Sequence, residues 1–249
     1  MTLLAVERIK LFSTRSPYWC TALAIAMSIG FTALIAANSE TVGIDLTQAG
    51  SRLALVVVLV LGALAVTTEY RFGTIRSTFL AVPNRTSALV AKTAVVALVA
   101  GVIGEIVAFG SWAMAKVIKP SADLAINTGA EWRHVAGVGL MFAIGAIIAV
   151  AVGILVRHTA GAVAILLVWS MLLENLVGII PKVGVKIQAW LPFMNADNFL
   201  AMQTGSNELN AEPAGVVFKL SQWGSLGYYA GIAVALLVVA LIVAKRRDA

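Results

Sequence analysis

Few side chains in this 249-residue chain could do chemistry, and their spacing argues against most of it. His134 and His158 stand alone, without His-Glu-x-x-His spacing or a cysteine partner, so a zinc hydrolase would lack ligands. The single thiol, Cys20, has no redox partner. No Gly-Lys dipeptide occurs, hence no phosphate-cradling Gly-x-x-x-x-Gly-Lys-[Ser/Thr] loop, and no Gly-x-Ser-x-Gly elbow is present. Two acids remain, Glu105 and Glu174, each set in a long apolar run. An acid at membrane depth faces the protein interior, pairs, or is protonated there. Either residue could therefore line a substrate path or carry a proton. A structural use stands beside that one: Glu105 as a polar contact between helices, Glu174 as a contact to the outer segment beyond its span. No enzymatic activity, metal or cofactor is expected of the chain itself.

The elements that must position these acids are set by composition. Hydrophobic residues make up 60% of the chain and charged residues 12%, against about 45–50% and about 25% in soluble domains. Six long runs lack charge or nearly so: 17–38, 53–68, 93–115, 134–156, 159–180 and 223–244, the second being the shortest. Of the 30 acidic and basic residues, 28 fall outside these runs. A charge at the centre of a span costs about 2.5–3.5 kcal/mol on insertion scales, so this segregation marks six membrane helices. The runs are continuous rather than alternating, which excludes a barrel. The first run is expected to be retained rather than cleaved, being too long for a signal core. A net charge of +6 in so apolar a chain points to a membrane surface, not to nucleic acid. With the N-terminus inside, the inner segments carry 11 Lys and Arg in 47 residues and the outer segments 7 in 74. Both termini are therefore expected in the cytoplasm.

Three connecting segments are not plain loops. Residues 69–92 contain Glu69-Tyr70-Arg71-Phe72-Gly73-Thr74-Ile75-Arg76, in which Gly73-Thr74 can break and recap a helix. Ile75, Phe79 and Leu80 then share one face of a short amphipathic helix, which Pro83-Asn84-Arg85 stops. In residues 2–15, Ala5, Val6, Ile9 and Phe12 share a face, predicting an interfacial helix before Pro17. The long outer segment 181–222 begins with Val183, Val185, Ile187, Trp190, Leu191, Phe193 and Met194, too apolar for free coil. A pair of short re-entrant helices fits it, with a folded outer cap as the alternative. Small residues recur at i, i+4 on two spans, Gly145, Ala149 and Gly153 on the fourth and Gly227, Gly231 and Ala235 on the sixth. Packing within the bundle is the expected use of both stripes.

The block from Glu69 to Arg76, followed by Pro83-Asn84-Arg85 and Lys92, resembles the first cytoplasmic loop of type 2 ATP-binding-cassette (ABC) permeases. The stretch Trp190-Leu191-Pro192-Phe193-Met194-Asn195-Ala196 is similar to the leucine-proline-phenylalanine-asparagine patch before that family's last span, with Met194 interrupting the usual run. The resemblance covers essentially the whole chain, as a single all-α transmembrane domain. It implies a prokaryotic plasma-membrane exporter subunit, working with a second identical or related permease and two separate ATPase subunits that bind ATP and Mg. It further implies that 71–81 is a coupling helix braced by the N-terminal helix. Glu69, Arg71, Phe72, Gly73, Thr74, Arg76 and Arg157 would then meet the ATPase. Trp190, Pro192, Phe193 and Asn195 would belong to an outer gate. Two rival readings stand: a proton-coupled carrier using Glu105, and a membrane scaffold or sensor that transports nothing.

The topology is testable by cysteine labelling in a Cys20→Ser background. A cysteine at position 40 is expected to react with an impermeant maleimide in intact cells, and one at position 76 only after permeabilisation. Labelling of position 76 in intact cells would overturn the arrangement.

Overall fold

The computed structural model describes residues 2–82, 84–181, 183–202, 216 and 218–247. Pro83 and residues 203–215 of the long segment 181–222 lie outside them, as do the side chains of Arg76 and Phe79. Among the described residues the chain is helical: α1 (Leu3–Ser13), α2 (Ser16–Asn38), α3 (Ser51–Arg71), α4 (Thr74–Ala81), α5 (Arg85–Ile118) and α6 (Gly129–Val156). Beyond these lie α7 (Thr159–Leu167), α8 (Glu174–Val177), α9 (Gly184–Gln188), α10 (Pro192–Leu200) and α11 (Gln222–Arg247). Six helical segments are long and apolar enough to cross a bilayer, which makes this a multi-pass membrane protein. They are α2, α3 with the short turn before it, α5, α6, the run from α7 to α8, and α11.

The helix ends obey local chemistry. Gly73 adopts φ +72°, a left-handed backbone that ends α3 and lets α4 set off in a new direction. Asn84 caps α5 by accepting from the Ser87 N–H. Thr128 and Glu131 form a reciprocal capping box on α6. At the far end of α6, Arg157 takes φ 57° and His158 Nδ1 accepts from the Gly161 N–H, so α7 begins after a two-residue turn. A π-helical stretch, Val168–Leu173, separates α7 from α8. Such turns insert an extra residue and re-aim the helix beyond them; Glu174, next in line, is fully buried.

At the centre stands α6, packed against α5, α3 and α11, while α2 lies across α3 and α5. In its most apolar stretch 72% of α6 is buried, against 22% for α2 and 17% for α11, so the outer spans turn most of their surface outwards. Glycines set the spacing of the central helices. A Cβ on Gly62 would lie 2.8 Å from Ala149 Cβ, and one on Gly104 2.8 Å from Gly139 Cα. Contacts this close need small residues on both helices, the usual way to gain packing energy in lipid.

Several expectations are corrected. The second span is not the shortest; with its leading turn it runs from Ile44 to Arg71, because Arg52 is taken inside the helix. The third extends to 34 residues and takes in Lys92. On α1 the buried residues are Glu7 and Leu11, whereas Ile9 and Phe12 of the expected apolar face are exposed. On α4, Ile75 is buried but Leu80 points away. The small-residue stripe of α6 packs against α3, as expected; Gly227 and Gly231 of α11 have no neighbour within reach among the described residues.

Gly62→Leu should therefore cost about 1–3 kcal/mol by overpacking, whereas Gly231→Leu should be neutral in the monomer. Thermal unfolding of detergent-solubilised protein, read by near-ultraviolet circular dichroism, compares the two. Equal loss in both would contradict the packing.

Candidate functional site

Two polar constellations sit at opposite ends of the bundle, and a lone acid lies between them. At the α4 end the Lys92 ammonium, on α5, donates to Glu7 Oε2 at 2.5 Å and to Glu69 Oε1 at 2.8 Å. Glu7 comes from α1 and Glu69 from the last turn of α3. Lys10 donates to Glu7 Oε1 at 2.9 Å and to Thr78 Oγ1 on α4 at 2.9 Å, and lies 3.7 Å from Glu69. Two cations and two anions thus join four elements with no net charge. Lys92 and Glu7 are almost completely buried. Such groups are tolerated because they neutralise one another, and removing either leaves an uncompensated charge. A cavity of about 50 Å³ opens beside them, lined by Thr14, Ser16 and Thr68 among others. The second carboxylate oxygen of Glu69 is buried there without a hydrogen-bond partner, and the cavity has room for water.

Around this network lie the residues singled out for coupling. Glu69 belongs to it. Arg71 and Phe72 are exposed side by side, the guanidinium 5.5 Å from the Phe72 ring centre. Gly73 provides the turn, and Thr74 opens α4, its carbonyl accepting from the Ser77 and Thr78 hydroxyls. Arg157 approaches from the α6–α7 turn and stacks 5.0 Å over the ring of Tyr70. The backbone of Arg76 lies in the middle of α4. Phe72 is 71% exposed and Leu80 88% exposed. The corner where α3 ends and the tethered α4 begins therefore presents two large apolar side chains that no described residue buries.

At the other end, α10 is held at both termini. Glu174 accepts from the backbone N–H groups of Phe193 (3.1 Å) and Met194 (2.8 Å), the first turn of α10. Arg133 donates to the carbonyls of Phe199 (2.8 Å) and Ala201 (2.7 Å), and His134 Nδ1 lies 2.7 Å from the carbonyl of Leu200. The acid thus meets the helix start and basic side chains its end, satisfying orphan backbone groups and complementing the dipole. Arg52 adds a lateral tie, donating to the Ser170 carbonyl at 2.7 Å and pairing with Asp197 of α10. Of the residues expected here, Phe193 is fully buried between Trp169 and Tyr229, with ring centres 5.6 and 5.9 Å away. Asn195 donates to the carbonyls of Ala189 and Leu191, fixing the bend between α9 and α10. Trp190 lies against Tyr228, whose hydroxyl donates to the Trp190 carbonyl at 2.9 Å. Pro192 starts α10.

Glu105 joins neither group. Its carboxyl rests on Gly139 of α6, it is partly exposed, and it has no ion-pair or hydrogen-bond partner among the described residues. The two acids inside the apolar runs are therefore not brought together. Glu174 has the structural contact foreseen for it, whereas Glu105 makes no polar contact between helices. Glu7, Lys10, Arg52, Arg133 and His134 were not anticipated. The visible signal was charge of both signs at the ends of several spans, which hydropathy alone reads as loop. The chain matches no known family model and no curated protein. Among the described residues no cluster of His, Cys, Asp and Glu could hold a metal ion.

Lys92→Met should lower stability by about 3–5 kcal/mol, because two carboxylates are left to share Lys10 and one negative charge is stranded. Adding Glu7→Gln to that variant should restore part of the loss, because one stranded charge is removed. Thermal unfolding of the single and double variants measures both steps. Unchanged stability in Lys92→Met would show that the network holds nothing together.

Proposed function

We propose that this chain is the permease subunit of an ATP-driven ABC exporter in a prokaryotic plasma membrane, with the α4 end in the cytoplasm. Two such subunits, identical or related, form the pathway, and two separate ATPase subunits bind ATP and Mg. The observation that carries this reading is the surface of the corner between α3 and α4. Phe72, which caps α3 beside the cationic Arg71, and Leu80 of α4 are uncovered, and Thr78 ties α4 to Lys10 of the ion network that joins α1, α3 and α5. Exposed apolar groups rimmed by charge mark a docking site, and aromatic and arginine side chains are those that anchor such interfaces. The ion network supports a mechanical role, since force applied to α4 reaches α1 and two spans through charges rather than a slack loop. Arg157 over Tyr70 supplies a second, smaller contact at the same end.

On this reading α9 and α10 dip into the outer leaflet as a re-entrant cap, and Trp190, Pro192, Phe193 and Asn195 shape the outer gate. Glu174 then serves to hold that cap. The rival proton-coupled carrier is favoured by one observation, the unpartnered carboxyl of Glu105, and needs no ATPase.

Affinity-tagged protein extracted from its native membrane is expected to bring down an ATPase with a phosphate-binding loop. In the Arg71→Glu, Arg76→Glu variant, and independently in Phe72→Ala with Leu80→Ala, recovery of that ATPase should fall at least tenfold while membrane insertion persists. Wild-type protein that binds no ATPase, yet moves substrate in proteoliposomes on a pH gradient alone, would replace the exporter by the carrier.

A further inference from the structure

The groove between α5 and α6 at Glu105 is the part of the bundle with chemistry still unspent. Phe109 lies four residues after Glu105 on α5 and so shares its face. On α6, Trp132 precedes Gly139 by seven residues, two helical turns, and Gly139 is the residue on which the Glu105 carboxyl rests. The ring centres of Phe109 and Trp132 lie 6.5 Å apart, tilted by 59°, so the two helices close an aromatic pair one turn from the acid along α5 and two turns along α6. Gly139 and Ala136 leave the α6 side of the groove shallow, and Val102, Ile106 and Leu140 expose apolar surface at its edges. Helix length places Glu105 deep: about 20 Å of α5 lies beyond it towards Ile118 and about 30 Å towards Arg85. The nearest basic side chain along α6, Arg133, is spent on the carbonyls of Phe199 and Ala201.

A carboxylate so deep, open to the side and without a cationic partner among the described residues must be protonated or take its counter-charge from outside. We propose that Glu105, Phe109 and Trp132 form a lateral binding site for a lipophilic organic cation. The carboxylate neutralises the charge, the ring faces attract it further, and the apolar body of the ligand lies along Val102, Ile106 and Leu140. A bare metal ion is not the match, because one carboxylate gives too few ligands for any of the usual geometries. As a cargo site this rests on the exporter reading; as a binding site it does not.

The test is binding of radiolabelled tetraphenylphosphonium to the full chain in lipid nanodiscs, with empty discs subtracted. Saturable binding near one cation per chain is expected. Affinity should fall at least tenfold in Glu105→Gln and about threefold or more in Trp132→Leu, while tetraphenylborate, of like shape and opposite charge, should not saturate. In the unaltered protein a hydrophobic carbodiimide should modify Glu105, read by peptide mass spectrometry, and saturating tetraphenylphosphonium should protect it. This arm decides the matter alone if a variant fails to fold. No saturable binding, equal affinity in folded Glu105→Gln, equal binding of the anion, or no protection of Glu105 would each overturn the site and leave Glu105 a protonated acid. None of these outcomes alters whether an ATPase co-purifies, so the site and the exporter reading fail separately.

Discussion

The ammonium of Lys92 is the group on which one whole end of the molecule depends. It lies within 3 Å of two carboxylates contributed by helices far apart in sequence, Glu7 and Glu69. In the low dielectric of an apolar bundle these charges interact far more strongly than they would in water, and the cost of isolating any one is correspondingly large. That asymmetry explains why α1 buries a glutamate and turns Ile9 and Phe12 outwards. Hydrophobic surface has somewhere else to go at a membrane boundary; a naked ammonium does not. Once α1 and α3 are fixed around Lys92, Lys10 reaches Thr78, and α4 has little freedom left.

The same rule, applied to backbone groups, organises the opposite end. A short helix in an apolar setting exposes N–H groups at one end and carbonyls at the other, and lipid can satisfy neither. Glu174 meets the first set, and Arg133 with His134 meets the second. The π-helical stretch before Glu174 gives this arrangement its geometry, since an extra residue in the turn rotates the acid into the bundle. Arg52 then pins α10 sideways to the second and fifth spans. The buried ionisable side chains Glu7, Lys92, His134 and Glu174 are thus all spent on holding helices, which is what singles out Glu105.

Segregation of charge made the six spans legible, and turn chemistry at Gly73 made α4 legible. Both are local signals with large energies behind them. The contact between Glu174 and the segment beyond its span was also legible, from the position of an acid beside an apolar connecting stretch. Pairing across tens of residues was not. Arg52 and Lys92 read as ends of loops because a cation ordinarily stops a span; each is drawn into a helix by a partner that hydropathy cannot see. The faces of α1 and α4 were misjudged for the same reason, since counting apolar residues ranks Ile9 and Leu80 above Glu7 and Thr78. The small-residue stripes looked alike on α6 and α11, and only packing separates the covered stripe from the open one.

The double anchorage of α10 has a mechanical consequence. A nine-residue helix is a strut about 13 Å long, pinned at one end to the fifth span through Glu174 and at the other to the fourth through Arg133 and His134. Two posts joined by a rigid bar cannot drift apart gradually. They keep their distance until one pin lets go, and then part at once. Separation of these spans at the α10 end should therefore behave as a latch, with closed and released states and little between.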